Sequence, residues 1–141
     1  MKKSILFVCH GNICRSPMAE YIFKKLARKK FVVESRATSN EEIGNDMHEG
    51  TKEQLELHNI PYDRHSAKRI TVDDYERFDI IICFDDYNIR NLRKITWDTT
   101  KVHKLLDKDI EDPWFTGDFE KVYNEIFSGC KALYEKLKDN N

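Results

Sequence analysis

The chain opens on an apolar run, Ser4-Ile5-Leu6-Phe7-Val8-Cys9, with no polar alternation, and a helical pattern soon follows it. A strand of that kind is buried on both faces, which is the habit of parallel sheets. Parallel strands need crossover connections, and the remaining sequence supplies them in alternation. Beyond the loop from His10 to Arg15, Ser16 is placed as an N-cap and Pro17 as the first helical residue, with Met18, Ile22 and Leu26 on one face. Residues 31–35 read as a second strand, residues 36–49 with Gly44 as loop, and residues 50–58 as a helix ending near Asn59, with Pro61 beyond it. Thr71 and Asp74 predict a short capped helix, residues 78–83 a third buried strand, and Asp85 or Asp86 the start of a helix to about Lys94. Residues 101–106 form a weaker strand. The final helix is the clearest element, since Phe119, Val122, Tyr123, Ile126, Cys130, Leu133 and Leu137 keep one face apolar for about five turns. Trp97 is expected to pack. The alternation predicts an α/β fold: one three-layer domain over residues 1–141, with a four-stranded parallel sheet flanked by helices.

Composition excludes several classes. A chain of 141 residues buries roughly two thirds of its unfolded surface, enough for an enzyme core. Its 24 Lys and Arg balance 25 Asp and Glu, so the high-net-charge signature of disorder is missing. Residues 1–30 hold eight basic residues against one Glu, and residues 107–125 seven acids against two lysines. With a pI near 6.5, these read as solvated helix faces of opposite sign and not as a nucleic-acid surface. The apolar runs are far shorter than the roughly 20 residues of a membrane-spanning helix. The opening run is also too short for a signal-peptide core, so Cys9, Cys14, Cys83 and Cys130 are expected to be free thiols in a reducing, cytoplasmic compartment. The cysteine spacings match no structural zinc pattern, and no metal or cofactor is expected.

Chemistry concentrates in Cys9-His10-Gly11-Asn12-Ile13-Cys14-Arg15-Ser16, where the first strand hands over to the first helix. A cysteine facing a helix N-terminus meets unsatisfied N–H groups and the positive end of the helix dipole, which favour a thiolate. Arg15 can curl back over the same loop, adding a cation and a planar fork that matches two phosphate oxygens. Gly11 lets the backbone turn its amides inward, and Asn12 tolerates a left-handed conformation. Cys-x5-Arg by itself is cheap, with about 0.2 occurrences expected by chance in a chain of ordinary composition. The buried strand before it, the glycine within it and the Ser-Pro helix start after it supply the context that makes it an anion cradle with a nucleophile at its floor.

With these residues in place, the chain resembles the low-molecular-weight protein tyrosine phosphatases. VCHGNICRSPMAE is similar almost letter for letter to that family's phosphate-binding signature. The likeness runs on through His65 in RHSAKR, FDIIICFDDYN around Asp85 and EDPWF around Asp112, and so covers essentially the whole chain. The resemblance implies that Cys9 is the nucleophile, that Arg15 binds the phosphoryl group, and that Ser16 stabilises the departing thiolate. It implies a scaffolding role for Asn12, with His65 helping to hold it. Asp112, in the loop before the last helix, would protonate the leaving tyrosyl oxygen and then activate water against the phosphocysteine. Such a mechanism needs an ionised sulfur and a protonated carboxyl together, so a bell-shaped rate profile is expected. Cys14 could condense with an oxidised Cys9 into a protective disulfide, whereas Cys83 and Cys130 read as core thiols.

Three departures from the family pattern stand out. Asp-Pro-Trp replaces the usual Asp-Pro-Tyr, making Trp114 the aromatic wall for a substrate ring, with His10, Ile13 and Phe115 on the rim. Glu41 and Glu42 follow Asn40 where relatives often carry an aromatic, which disfavours acidic phosphopeptides. Ala37 replaces a glycine. Two rival functions share the loop. An arsenate reductase would need a thiol relay, for which Cys83 lacks its partner a few residues on. A non-catalytic phosphate-binding module would gain nothing from Cys9 that a serine would not give. The expected partners are a phosphotyrosine protein or small aryl phosphate, with no nucleic acid and no membrane, acted on by a monomer.

Overall fold

The computed structural model describes residues 2–96 and 98–140; Trp97 lies outside them. Four parallel strands, β1 (Lys3–Cys9), β2 (Phe31–Ala37), β3 (Ile80–Cys83) and β4 (Val102–Lys104), form one sheet in the order β2-β1-β3-β4. The helices are α1 (Arg15–Ala27), α2 (Glu49–Leu57), α3 (Val72–Arg77), α4 (Asp86–Arg93), α5 (Pro113–Thr116) and α6 (Phe119–Leu137), with a 3-10 turn at Lys138–Asn140.

β1 is hydrogen-bonded on both sides and covered on both faces, which is why its sequence shows no alternation. Ile5, Phe7 and Cys9 face a core built with Met18, Ile22 and Phe23 of α1 and Val122, Ile126 and Cys130 of α6. Leu6 and Val8 face a second core with Tyr75 of α3, Phe78, Ile81, Cys83 and Leu92 of α4. Ile5 through Val8 are fully buried, each contributing roughly 1.5–3 kcal/mol from burial. The result is the expected three-layer α/β arrangement.

Several boundaries differ from the sequence reading, each for a local reason. α1 starts at Arg15 with Cys14 at the N-cap position, so Ser16 is not the cap; its hydroxyl is turned to Cys9 instead. β2 runs on to Ala37 because it pairs with β1 all the way to Cys9. β3 begins only at Ile80, since Phe78 closes α3 by bonding Asp74 O and the Asp79 amide bonds Ser4. β4 keeps three residues at the sheet edge. α2 runs Glu49–Leu57, and Asn59 takes the left-handed conformation that ends it (φ +57°). The Thr71–Asp74 capping box is present, and Asp85 caps α4. α5 is one turn long and had no periodic signal to announce it.

The chain leaves β1 toward β2 on one side and returns to β3 on the other. The carboxyl end of β1, which is Cys9, therefore sits where the strand order reverses, the position at which open parallel sheets bind ligands.

Candidate active site

The loop from His10 to Cys14 is held in shape from within by Asn12 and from outside by the side chains of Ser39, Thr51 and His65, which donate to its carbonyls. Asn12 is fully buried and left-handed (φ +60°), a conformation Asn tolerates better than most residues. Its Nδ2 donates to Ser16 Oγ at 2.8 Å and to Ser35 Oγ at 3.0 Å, and its Oδ1 accepts from the Lys68 amide at 3.1 Å. Ser35 in turn donates to the buried Glu20 at 2.6 Å. The Asn12 carbonyl accepts from His65 Nε2 at 2.6 Å, which fixes the protonated ring nitrogen. Burial holds His65 below the ordinary histidine range, although the Asn12 carbonyl opposes the shift. Asp46 Oδ1 anchors the His65 amide at 2.9 Å.

The sulfur of Cys9, 3% exposed, lies at the end of β1 and 3.0 Å from Ser16 Oγ, and the Ser16 amide donates to it at 3.4 Å. Ser16 Oγ accepts from the Cys9 thiol and from Asn12 Nδ2 and donates to the Arg36 carbonyl at 3.5 Å; once the sulfur is ionised, that hydroxyl proton can turn to it. Arg15 is as deeply buried as the core. Its Nη1 donates to Asp85 Oδ2 at 2.7 Å and to the Ile110 carbonyl at 2.8 Å, while Nη2 lies 3.6 Å from Asp112 Oδ2. Burial alone would lower the guanidinium pKa, but Cys9, Asp85 and Asp112 more than offset it and the pKa is raised. Arg15 Nε is buried and, among the described residues, has no hydrogen-bond acceptor. One edge of the fork is thus anchored to protein, and Nε on another is uncommitted.

Asp112 caps α5: its Oδ1 accepts from the Trp114 amide at 3.1 Å, and Pro113 occupies the first helical position. Its Oδ2 is the oxygen on the Arg15 side. A cleft is lined by Cys9, His10, Gly11, Ile13, Cys14, Glu41, Glu42, Asp112, Trp114 and Phe115. Trp114 and Phe115 stand exposed at the cleft. His10 is paired to Glu41 at 2.6 Å and packed on Tyr87. The side chains of Asn12, Arg15, Ser16 and His65 are all buried. Burial and the neighbouring Cys9 push the Cys14 thiol up. Cys83 belongs to the core on the opposite sheet face from Cys9. Sequence reasoning did not find Asp85 as the partner of Arg15; its one signal was an acid directly beyond a buried strand adjacent to β1.

The profile described as "Low molecular weight phosphotyrosine protein phosphatase" matches residues 4–141. The chain belongs to this family. Among its low-molecular-weight phosphatase relatives, Low molecular weight protein-tyrosine-phosphatase YfkJ of Bacillus subtilis is 40% identical, with 96% of each chain covered. The human low molecular weight phosphotyrosine protein phosphatase is 39% identical, with 95% of each covered. The crystal structure of YfkJ superposes with a TM-score of 0.95 over 100% of this chain and 98% of that one. That of the Streptococcus pyogenes low molecular weight protein tyrosine phosphatase gives 0.90 at 41% identity, covering 96% and 93%. Among the described residues of this low-molecular-weight phosphatase, no helix is long and apolar enough to cross a membrane.

Proposed function

We propose that this phosphatase hydrolyses phosphotyrosine and small aryl phosphates through a phosphocysteine intermediate. The observation that carries the reading is the fork of Arg15, anchored by Asp85 and Ile110 beside the Cys9 loop, with a buried Nε that has no protein acceptor. Two phosphate oxygens match such an edge. Cys9 Sγ attacks phosphorus, a sulfur–phosphorus bond forms, and the bond to the aryl oxygen breaks as Asp112 gives that oxygen its proton. Asp112, now a carboxylate, takes a proton from water; the water oxygen attacks phosphorus and the sulfur–phosphorus bond breaks. Ser16, 3.0 Å from the sulfur, donates to the departing thiolate. Ile13, Trp114 and Phe115 give the leaving ring apolar contact at the mouth.

This reading also takes the enzyme as a single-domain monomer of a reducing, cytoplasmic compartment, supported by four free, buried cysteines. A thiol relay to arsenate finds no support, because Cys83 is on the other sheet face.

The test is steady-state kinetics on p-nitrophenyl phosphate and a phosphotyrosine peptide, with vanadate as competitor. Cys9→Ser should abolish turnover, and Asp112→Asn should slow it about 10²–10⁴-fold and remove the basic limb of a bell-shaped pH profile. Undiminished turnover by Cys9→Ser would falsify the covalent mechanism.

A further inference from the structure

His48 immediately precedes α2, and nothing in the chemistry above uses it. It nonetheless joins the two halves of the site. Its amide donates to the Ile13 carbonyl in the phosphate loop at 2.9 Å, and its Nδ1 accepts from the Gly50 amide at 2.9 Å. Its ring stacks on Phe119, with centroids 4.8 Å apart and an interplanar angle of 22°, and meets Trp114 edge-on at 5.6 Å and 83°. Both geometries are attractive arrangements of aromatic pairs.

Trp114 and Phe119 lie on either side of the left-handed Gly117, within the segment that carries Asp112. Trp114 also donates its amide to the Asp112 side chain. Residues 114–118 are exposed, so few contacts hold this segment. The imidazole touches it at two places while its backbone is tied to the loop that carries the sulfur. Gly50 leaves room for the stack: a Cβ there would come within 2.5 Å of the Phe119 ring.

We infer that His48 is a positioning residue whose ring seats the Asp112 segment against the phosphate loop, and so sets how well the acid reaches the leaving oxygen. The inference deepens the phosphatase reading and rests on it. Loss of the ring then hurts substrates in proportion to their need for a proton, while leaving the anion pocket intact. Loss of the Nδ1 acceptor alone acts on α2 stability and not on proton transfer.

The experiment compares kcat/KM for phenyl phosphate, a poor leaving group, and p-nitrophenyl phosphate, a good one, in the full chain. The variants are His48→Ala, His48→Asn, which keeps a cap acceptor without a ring, and His48→Phe, which keeps a ring without the acceptor. Asp112→Asn fixes the ratio when the acid is absent. Ala and Asn should lower phenyl phosphate turnover about tenfold, part of the general-acid contribution, and p-nitrophenyl phosphate less than about threefold. Phe should hold the wild-type ratio. Inhibition by inorganic phosphate should stay within about twofold of wild type in all three, as the phosphate contacts are unchanged. An unchanged ratio in Ala, rescue by Asn but not Phe, or loss of phosphate inhibition each overturns the inference. A ratio insensitive to Asp112→Asn refutes the acid assignment itself, a failure recognisable without any His48 variant, and takes this inference with it.

Discussion

Asn12 pairs a backbone conformation that most side chains avoid with three side-chain hydrogen bonds, and the two can be separated by mutation. Asn12→Ala loses both, stranding the Lys68 amide and placing a Cβ residue in the left-handed region. At about 1 kcal/mol for each of the three lost bonds and 1–2 for the strain, the sum is roughly 4–5 kcal/mol. Asn12→Gly loses the same bonds but carries no strain. Urea unfolding should therefore show Gly less destabilised than Ala by about 1–2 kcal/mol, while turnover of p-nitrophenyl phosphate stays low in both. Recovery of turnover in the glycine variant would mean that backbone conformation, and not the bonds to Ser16 and Ser35, shapes the loop. The same residue shows how far sequence can reach. Asn after Gly in a strand-to-helix loop announces a left-handed turn. Its bonds to Ser35 and Lys68 depend on elements that only the fold brings near.

The loops that brace the phosphate loop carry its sensitivity to acid. Burial alone would raise the Asp46 carboxyl, but hydrogen bonds from Lys52 and from the amides of His65 and Met47 bring it down to about 2. Its folded pKa is depressed below the unfolded value near 3.9, so the stability it contributes is present above that value and lost as pH falls through about 2. His65 acts higher. Burial lowers its pKa below the unfolded value near 6.5, so the unfolded chain binds the proton more readily and stability declines as pH drops below about 6.5. Thermal midpoints measured between pH 7.5 and 5.5 should thus fall in wild type and fall less in His65→Gln, whose amide can still donate to the Asn12 carbonyl. Equal slopes for the two proteins would remove His65 from the account. At this scale the strong elements were legible: the unbroken apolar run of β1, the apolar stripe of α6 and the Thr71–Asp74 box each state their structure locally. The start of α1 was not, because the Ser16 hydroxyl that would cap it is claimed by Cys9. Nor was α5, since four residues carry no period and its cap, Asp112, was visible only as a catalytic candidate. His48 left no trace, as its role lies in ring contacts with residues far along the chain.

Two glycines show how the whole molecule separates stability from catalysis. At both, an added Cβ would come within 2.5 Å of a neighbour: Leu105 Cγ for Gly129 in α6, and the Phe119 ring for Gly50 in α2. Replacing a helical glycine by alanine ordinarily gains about 1 kcal/mol of helix propensity. Overpacking of this severity costs about 1–3 kcal/mol, so the clash decides the sign and both variants should be less stable. Their functional effects should diverge. Leu105 packs where β4 leaves the sheet and neither it nor Gly129 lines the cleft, so Gly129→Ala should unfold at lower urea yet keep the wild-type ratio of phenyl to p-nitrophenyl phosphate turnover. Gly50 sits against the stack that joins His48 to the Asp112 segment, so displacing Phe119 shifts that segment relative to the sulfur. Gly50→Ala should therefore lose phenyl phosphate turnover preferentially, below the temperature at which either variant begins to unfold. If both variants changed the ratio alike, loss of stability alone would account for the effect. If neither did, the acid segment must be seated by contacts other than the one Phe119 makes.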